Sequence, residues 1–256
     1  MNLSIYQKDV LQKYKSNSQR ARVLTENWFS AEMYCPCCLS PSVQKLPNNS
    51  HTLDFICERC RSRHELKSSS KKFGKYVNDG EYQTMIQTII QNRTPNFFML
   101  NYSKDEWLVK NLFMIPNHFF SRSIIEKRSP LSINARRAGW IGCHIMLDRI
   151  PENGRINLIQ NEKIIDQSSV HKAWRKMLFL SHKNLKIRGW TSDVLKCIED
   201  LDKKDFTLKD IYNFKEYLSE LHPENNYVEE KIRQQLQILR DNNVLKFSSP
   251  GKYQFK

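Results

Sequence analysis

Cys35 and Cys38 form one Cys-x-x-Cys pair and Cys57 and Cys60 a second, with eighteen residues between the pairs. Two sulfurs two residues apart cover one side of a tetrahedron, and the intervening segment can bring the second pair to the other side. That spacing predicts a four-thiolate zinc site. Cys37 adjoins Cys38 and could take its place, but a one-residue gap from Cys35 makes a tighter bite, which favours Cys38. The chain has 7 cysteines, an odd number that argues against a disulfide framework. Cys143 and Cys197 sit among apolar residues and read as small core side chains.

Around the second pair the sequence runs HTLDFICERCRSRHELKS. Its flanks, 52–56 and 63–67, read as two strands of a hairpin closed by the cysteine knuckle. Residues two apart on a strand share a face, so Glu65 and Lys67 project together while Leu66 turns inward. Across the hairpin Asp54 falls beside Glu65. Two carboxylates can hold Mg²⁺ in an oxygen shell with room for water and a phosphate oxygen. A lysine beside them can orient the attacking water and offset phosphate charge. Asp54, Glu65 and Lys67 are therefore the candidate catalytic set, and Asp54 and Glu65 the candidate Mg²⁺ ligands. E-x-K alone is a weak signal; the aspartate at hairpin distance and the stapled turn give it weight.

The elements that must present this chemistry to a substrate divide unevenly by charge. Lys and Arg number 41 against 27 Asp and Glu, a formal charge of +14. Residues 181–256 hold 14 basic and 12 acidic residues, so +12 falls on 1–180. A phosphate-rich polyanion is the expected partner. No G-x-x-x-x-G-K-[ST] or G-x-G-x-x-G occurs, so no nucleotide cofactor is expected. The longest apolar run falls short of the ~18 residues a membrane span needs, and the first residues lack a signal-type apolar core. A soluble, cytoplasmic protein without a membrane partner is the expectation.

The last quarter changes pattern. Thr191–Leu201 reads as a short helix, and Thr207 with Asp210 as the capping box of a second. A third helix runs to Asp241 with Val228, Ile232, Leu236 and Leu239 on one stripe. Lys231, Arg233, Gln234 and Gln237 lie off that stripe. Two short strands about a Pro-Gly turn follow. Three helices and a two-stranded wing make a winged helix, whose outward Gln and Arg suit base edges in the major groove.

The strings YKSNSQRARVLTENW (14–28), CPCC with CERC, DFICERCRSRHELKS, NDGEYQTM (78–85), RRAGWIGC (136–143), RGWT (188–191) and KIRQQLQILRD (231–241) carry a resemblance over the whole chain to DpnI-type methylation-dependent type II restriction endonucleases. The resemblance implies an α/β (α+β) fold, with a PD-(D/E)xK nuclease domain carrying a four-cysteine zinc site over 1–180 and a winged-helix domain over 181–256. It further implies Mg²⁺-dependent cleavage of double-stranded DNA at GATC carrying N6-methyladenine. A protein monomeric in solution is the expectation. Two departures stand out: Leu53 precedes Asp54 where the motif has proline, and Leu39 follows the first knuckle where a ribbon has glycine.

N6-methylation adds an apolar group in the major groove and leaves one amino hydrogen. Trp140, between Gly139 and Gly142 and after Arg136 and Arg137, is the candidate methyl contact, with the arginines gripping phosphate or guanine. The glycines would let the backbone approach DNA. A non-catalytic zinc-ribbon/winged-helix regulator is the rival reading, and an RNA-processing nuclease a third. A regulator has no use for Asp54, Glu65 and Lys67 on one face, and an RNA nuclease gains nothing from the C-terminal helices.

Overall fold

The computed structural model describes residues 1–47 and 53–256. In chain order the helices are α1 (Lys8–Lys13), α2 (Asn17–Glu32), α3 (Tyr82–Ile90), α4 (Gln167–Lys176), α5 (Leu185–Asp200), α6 (Leu208–Tyr212), α7 (Lys215–Leu221) and α8 (Val228–Asp241). The strands are β1 (Gln44–Lys45), β2 (Phe55–Ile56), β3 (Arg63–Ser69), β4 (Tyr76–Glu81), β5 (Asn96–Ser103), β6 (Leu108–Ile115), β7 (Ile125–Lys127), β8 (Gly142–Met146), β9 (Ile156–Gln160), β10 (Lys163–Ile164), β11 (Asp205–Thr207), β12 (Leu245–Ser249) and β13 (Lys252–Phe255). No helix among the described residues is long and apolar enough to cross a membrane.

Two compact units result. The first joins Met1–Phe73, Thr94–Asn117 and Asn153–Met177; the second joins Gly74–Arg93, His118–Glu152 and Leu178–Lys256. The division expected at 180/181 follows the chain, whereas these units draw on alternating segments, so residues 74–93 and 118–152 group with the C-terminal helices.

A seven-stranded sheet, ordered β1-β2-β3-β5-β6-β9-β10, forms the first unit's floor. β3 and β5 run parallel, which places His64 beside Asn96, Glu65 beside Phe97 and Lys67 beside Met99. β5 is buried along almost its whole length, as a central strand covered on both faces must be. Helix α2 lies on this sheet through Leu24, Trp28 and Phe29. The Phe29 ring meets Phe55 at 4.5 Å and the edge of Phe98 at 4.8 Å. Each such ring, buried, contributes roughly 1.5–3 kcal/mol, enough to fix the helix over the hairpin that bears the acidic residues.

The second unit holds a three-stranded sheet, β4-β8-β7, and the helical region with its own sheet, β11-β13-β12. The capping box expected at Thr207 and Asp210 is present at α6, and Val228, Ile232, Leu236 and Leu239 of α8 are all buried. The wing gains a third strand, β11, which pairs with β13. The first helix of this region starts at Leu185, not Thr191, capped by the Asn184 side chain on the Ile187 N–H at 2.9 Å. Gly189 sits inside it because a Cβ there would come within 3.2 Å of the Ser121 Cβ. Cys143 and Cys197 are fully buried, as expected of core residues.

Candidate active site and cysteine cluster

The two cysteine knuckles share one backbone form. Cys35 N–H donates to the Ser40 carbonyl and Leu39 N–H to the Cys35 carbonyl, both at 2.8 Å. Cys57 N–H donates to Ser62 and Arg61 N–H to Cys57, both at 2.9 Å. The residue after each second cysteine is left-handed, with φ 59° at Leu39 and 60° at Arg61. Leu39 thus adopts the conformation that a ribbon glycine would take, at a steric cost of roughly 1–2 kcal/mol.

All four sulfurs of Cys35, Cys38, Cys57 and Cys60 lie within 4.8 Å of one another. Cys35 and Cys60 stand 3.7 Å apart, Cys38 and Cys57 3.6 Å. A tetrahedron with metal–sulfur bonds of about 2.3 Å has edges of about 3.8 Å, so the donor set fits a structural metal such as zinc. Cys37 lies beside Cys35 but outside this group of four, its sulfur accepting from the Asn96 amide at 3.7 Å. Burial pushes the Cys38 thiol up to about 12. Burial also pushes Cys57 up, but the backbone N–H groups of Cys60 and Arg59 outweigh it and bring that thiol to about 7. A cation is what would hold all four as thiolates together.

From the second knuckle β2 and β3 return as the expected hairpin, with Phe55 opposite His64 and Ile56 opposite Arg63. Thr52, the expected start of its first flank, lies outside the described residues. Asp54 N–H donates to the His64 carbonyl at 3.1 Å. The Asp54 carboxylate in turn accepts the Leu66 N–H at 2.9 Å, which lands it on β3 between Glu65 and Lys67. Lys67 Nζ lies 2.5 Å from Glu65 Oε1 and 5.7 Å from the centre of the Phe97 ring. Leu66 packs against the core cluster. The three residues therefore gather at one point.

Burial raises the Asp54 carboxyl above its ordinary value; the Leu66 N–H opposes this, Glu26 adds to it, and Lys67 and Arg22 work against it. Glu26, on α2, is a carboxylate that sequence reading missed. Its side chain is 13% exposed and bonds Lys45 at 3.0 Å and Arg22 at 3.4 Å. The i,i+4 pairing of Arg22 with Glu26 was the available signal, but it reads equally as a solvated helix face.

The candidate DNA-contacting residues lie in the second unit. Arg136 and Arg137 are exposed and Trp140 half-buried, on the loop joining β7 to β8. Trp140 N–H donates to the Arg137 carbonyl at 3.1 Å, and the Trp140 carbonyl accepts from Leu131 at 2.9 Å. The Arg137 guanidinium lies 4.7 Å from the indole centre. A Cβ on Gly142 would meet two indole carbons at 2.8 Å. Gly142 thus makes room for the indole, not for DNA. Gly139 has φ +76° and open space around its Cα. On α8, Arg233, Gln234 and Gln237 are exposed and Lys231 half-buried. Lys231 Nζ bonds Gln234 at 2.7 Å, and Arg233 bonds Tyr212 at 2.5 Å and Glu230 at 3.0 Å. Gln235, next to them, is buried and accepts the Thr191 hydroxyl at 2.8 Å.

Two carboxylates and a lysine close together on a mixed sheet are a donor set that could hold a divalent cation with a cationic side chain beside it. Residues 1–183 match the family DpnI, the Dam-replacing family, and residues 186–255 match its Dam-replacing HTH domain. The chain belongs to that family.

Proposed function

We propose that this protein is a type II restriction endonuclease cleaving double-stranded DNA at GATC when the adenine is N6-methylated, by Mg²⁺-dependent phosphodiester hydrolysis. The observation that carries the catalytic half is the Asp54 carboxylate bonded to the Leu66 N–H, between Glu65 and Lys67. Membership of the Dam-replacing family supports the methyl-directed half.

Asp54 and Glu65 are the oxygen donors that would hold Mg²⁺, which when bound supplies Lewis-acid activation of the scissile phosphate and of water. The Leu66 N–H anchors one Asp54 oxygen and leaves the other for the cation. Lys67, its ammonium against Glu65 and above the Phe97 ring, orients the water and offsets charge on the phosphate. Lys45 and Arg22, held by Glu26, lie ready to grip the flanking backbone. Zinc in the Cys35, Cys38, Cys57 and Cys60 cluster staples the hairpin. The segment 1–180 acts as the cutting module and carries most of the phosphate affinity, while 181–256 reads sequence through Lys231, Arg233, Gln234 and Gln237. Trp140 packs its indole on the methyl group, with Arg136 and Arg137 on phosphate or guanine. The protein acts as a monomer in the cytoplasm.

The test is a pair of plasmids, one with N6-methyladenine at every GATC and one without, incubated with the protein and Mg²⁺. Cutting of the methylated plasmid alone is expected. No cutting of either overturns the nuclease reading, and equal cutting overturns methyl direction.

A further inference from the structure

A histidine stands on β3 between the cysteine cluster and the acidic pair. His64 is fully buried, precedes Glu65, and accepts the Asp54 N–H on its carbonyl. Its ring meets the edge of Phe98, with centroids 5.3 Å apart. An apolar ring would satisfy that packing alone. The imidazole adds two nitrogens, and both have partners.

Those partners set the proton positions. Asn96 Oδ1 accepts the Asn117 N–H at 2.9 Å, which fixes the amide's orientation. Its Nδ2 then faces three acceptors with two hydrogens, the Arg63 carbonyl at 3.3 Å, His64 Nδ1 at 3.4 Å and the Cys37 sulfur at 3.7 Å. A ring nitrogen that faces a donor presents its lone pair, so the single proton of the neutral ring sits on Nε2. Nε2 lies 3.1 Å from the Ser62 hydroxyl oxygen and 3.9 Å from the Cys35 sulfur. With His64 donating to it, the Ser62 hydroxyl turns its own proton to the sulfurs of Cys60 at 3.1 Å and Cys35 at 3.3 Å. Every bond in the series points the same way, from the Asn117 N–H to the thiolates. Cys60 is exposed and can draw on water, whereas Cys35 is fully buried and depends on donors within the protein.

We propose that His64 is a positioning residue of the zinc centre: held as the Nε2–H tautomer by Asn96, it donates to the Ser62 hydroxyl and so aims that hydroxyl's proton at the thiolates of Cys35 and Cys60. The same residue, through its backbone, ties that centre to Asp54 and Glu65. This inference rests on the reading of the cysteine cluster as a zinc site. Donors of this kind fix ligand orientation and sulfur charge, and their loss typically weakens metal affinity 10–100-fold.

The experiment uses the full chain loaded with Zn²⁺ or Co²⁺. Nitrogen-15 chemical shifts of His64 in the zinc form report its tautomer directly. His64→Phe keeps the ring against Phe98 and removes both nitrogens, and His64→Gln keeps an N–H within reach of Ser62. In chelator competition His64→Phe is expected to bind zinc about 10–100-fold more weakly, and His64→Gln to recover most of that loss. The sulfur-to-cobalt charge-transfer band is expected to shift in the Phe variant and return towards the wild-type position in the Gln variant. An Nδ1–H tautomer, or a folded His64→Phe protein with wild-type affinity and band, would overturn the proposal. Should the Phe variant not fold, the tautomer alone decides. A wild-type chain that takes up neither metal overturns the zinc reading itself, and this one with it.

Discussion

Replacing Gly142 with alanine probes the Trp140 loop without replacing any side chain proposed to meet DNA. The added methyl would stand 2.8 Å from Cη2 and Cζ3 of Trp140 and 3.3 Å from Cδ of Arg128. Carbon contacts are favourable at about 3.5–4.0 Å, so an overlap of several tenths of an ångström must be relieved. The Trp140 backbone is held through Arg137 and Leu131, which leaves rotation of the indole as the way out. Overpacking of this kind costs about 1–3 kcal/mol, and moving the ring from under Arg137 forfeits a cation–π contact of roughly 0.5–1 kcal/mol. In a chain of this size, each kilocalorie lowers the melting temperature by about 2–4 °C. The assay is the ratio of cleavage rates on two duplexes that differ only in the GATC methyl groups, read beside a melting curve and tryptophan emission. If the displaced indole surrenders about 1.4 kcal/mol of methyl contact, the ratio falls about tenfold. Gly142→Ala with an unchanged ratio, melting temperature and emission would refute both the packing argument and the role given to Trp140.

Asp54→Asn is expected to abolish cleavage yet raise the melting temperature of the metal-free protein at neutral pH. The folded-state carboxyl lies above its ordinary value through burial, so its charge costs stability above that raised value and the cost fades as pH falls through it; the gain from Asn should fade in the same direction, as parallel melts across pH would show. Mg²⁺ should stabilise wild type and leave Asp54→Asn unmoved in the same melts. Thr207→Ala removes one half of the capping box at α6 and should cost about 1 kcal/mol, read by denaturant melts. DNA affinity should fall steeply between 50 and 200 mM salt, by about 10³-fold for six phosphate contacts, and charge reversals within 1–180 should flatten that slope more than reversals within 181–256.

Local chemistry was the legible part of the sequence. The two Cys-x-x-Cys pairs, the hairpin alignment of Asp54 with Glu65 and Lys67, the Thr207–Asp210 box and the α8 stripe all follow from spacings of a few residues. What depends on distant packing was not legible. The helix reads as starting at Thr191, after Gly189, and Gly142 as a gap for DNA; the Ser121 side chain and the Trp140 indole occupy the space that a Cβ at each glycine would need. Leu39 looks like a departure from the knuckle pattern, yet its backbone matches that of Arg61. Glu26 reaches the acidic site only because Trp28 and Phe29 pin α2 on the sheet. The alternation of segments between the two compact units leaves no mark in composition.

Single-turnover cleavage of a duplex with one fully methylated GATC, at saturating Mg²⁺, compares wild type with Lys67→Met and tests the central claim most directly. Lys67→Met keeps an unbranched apolar stem and removes the ammonium, with its contacts to Glu65 and the Phe97 ring. The account gives a fall of about 10²-fold or more in rate, with binding to the same duplex little changed. A Lys67→Met protein that cuts at the wild-type rate would contradict it.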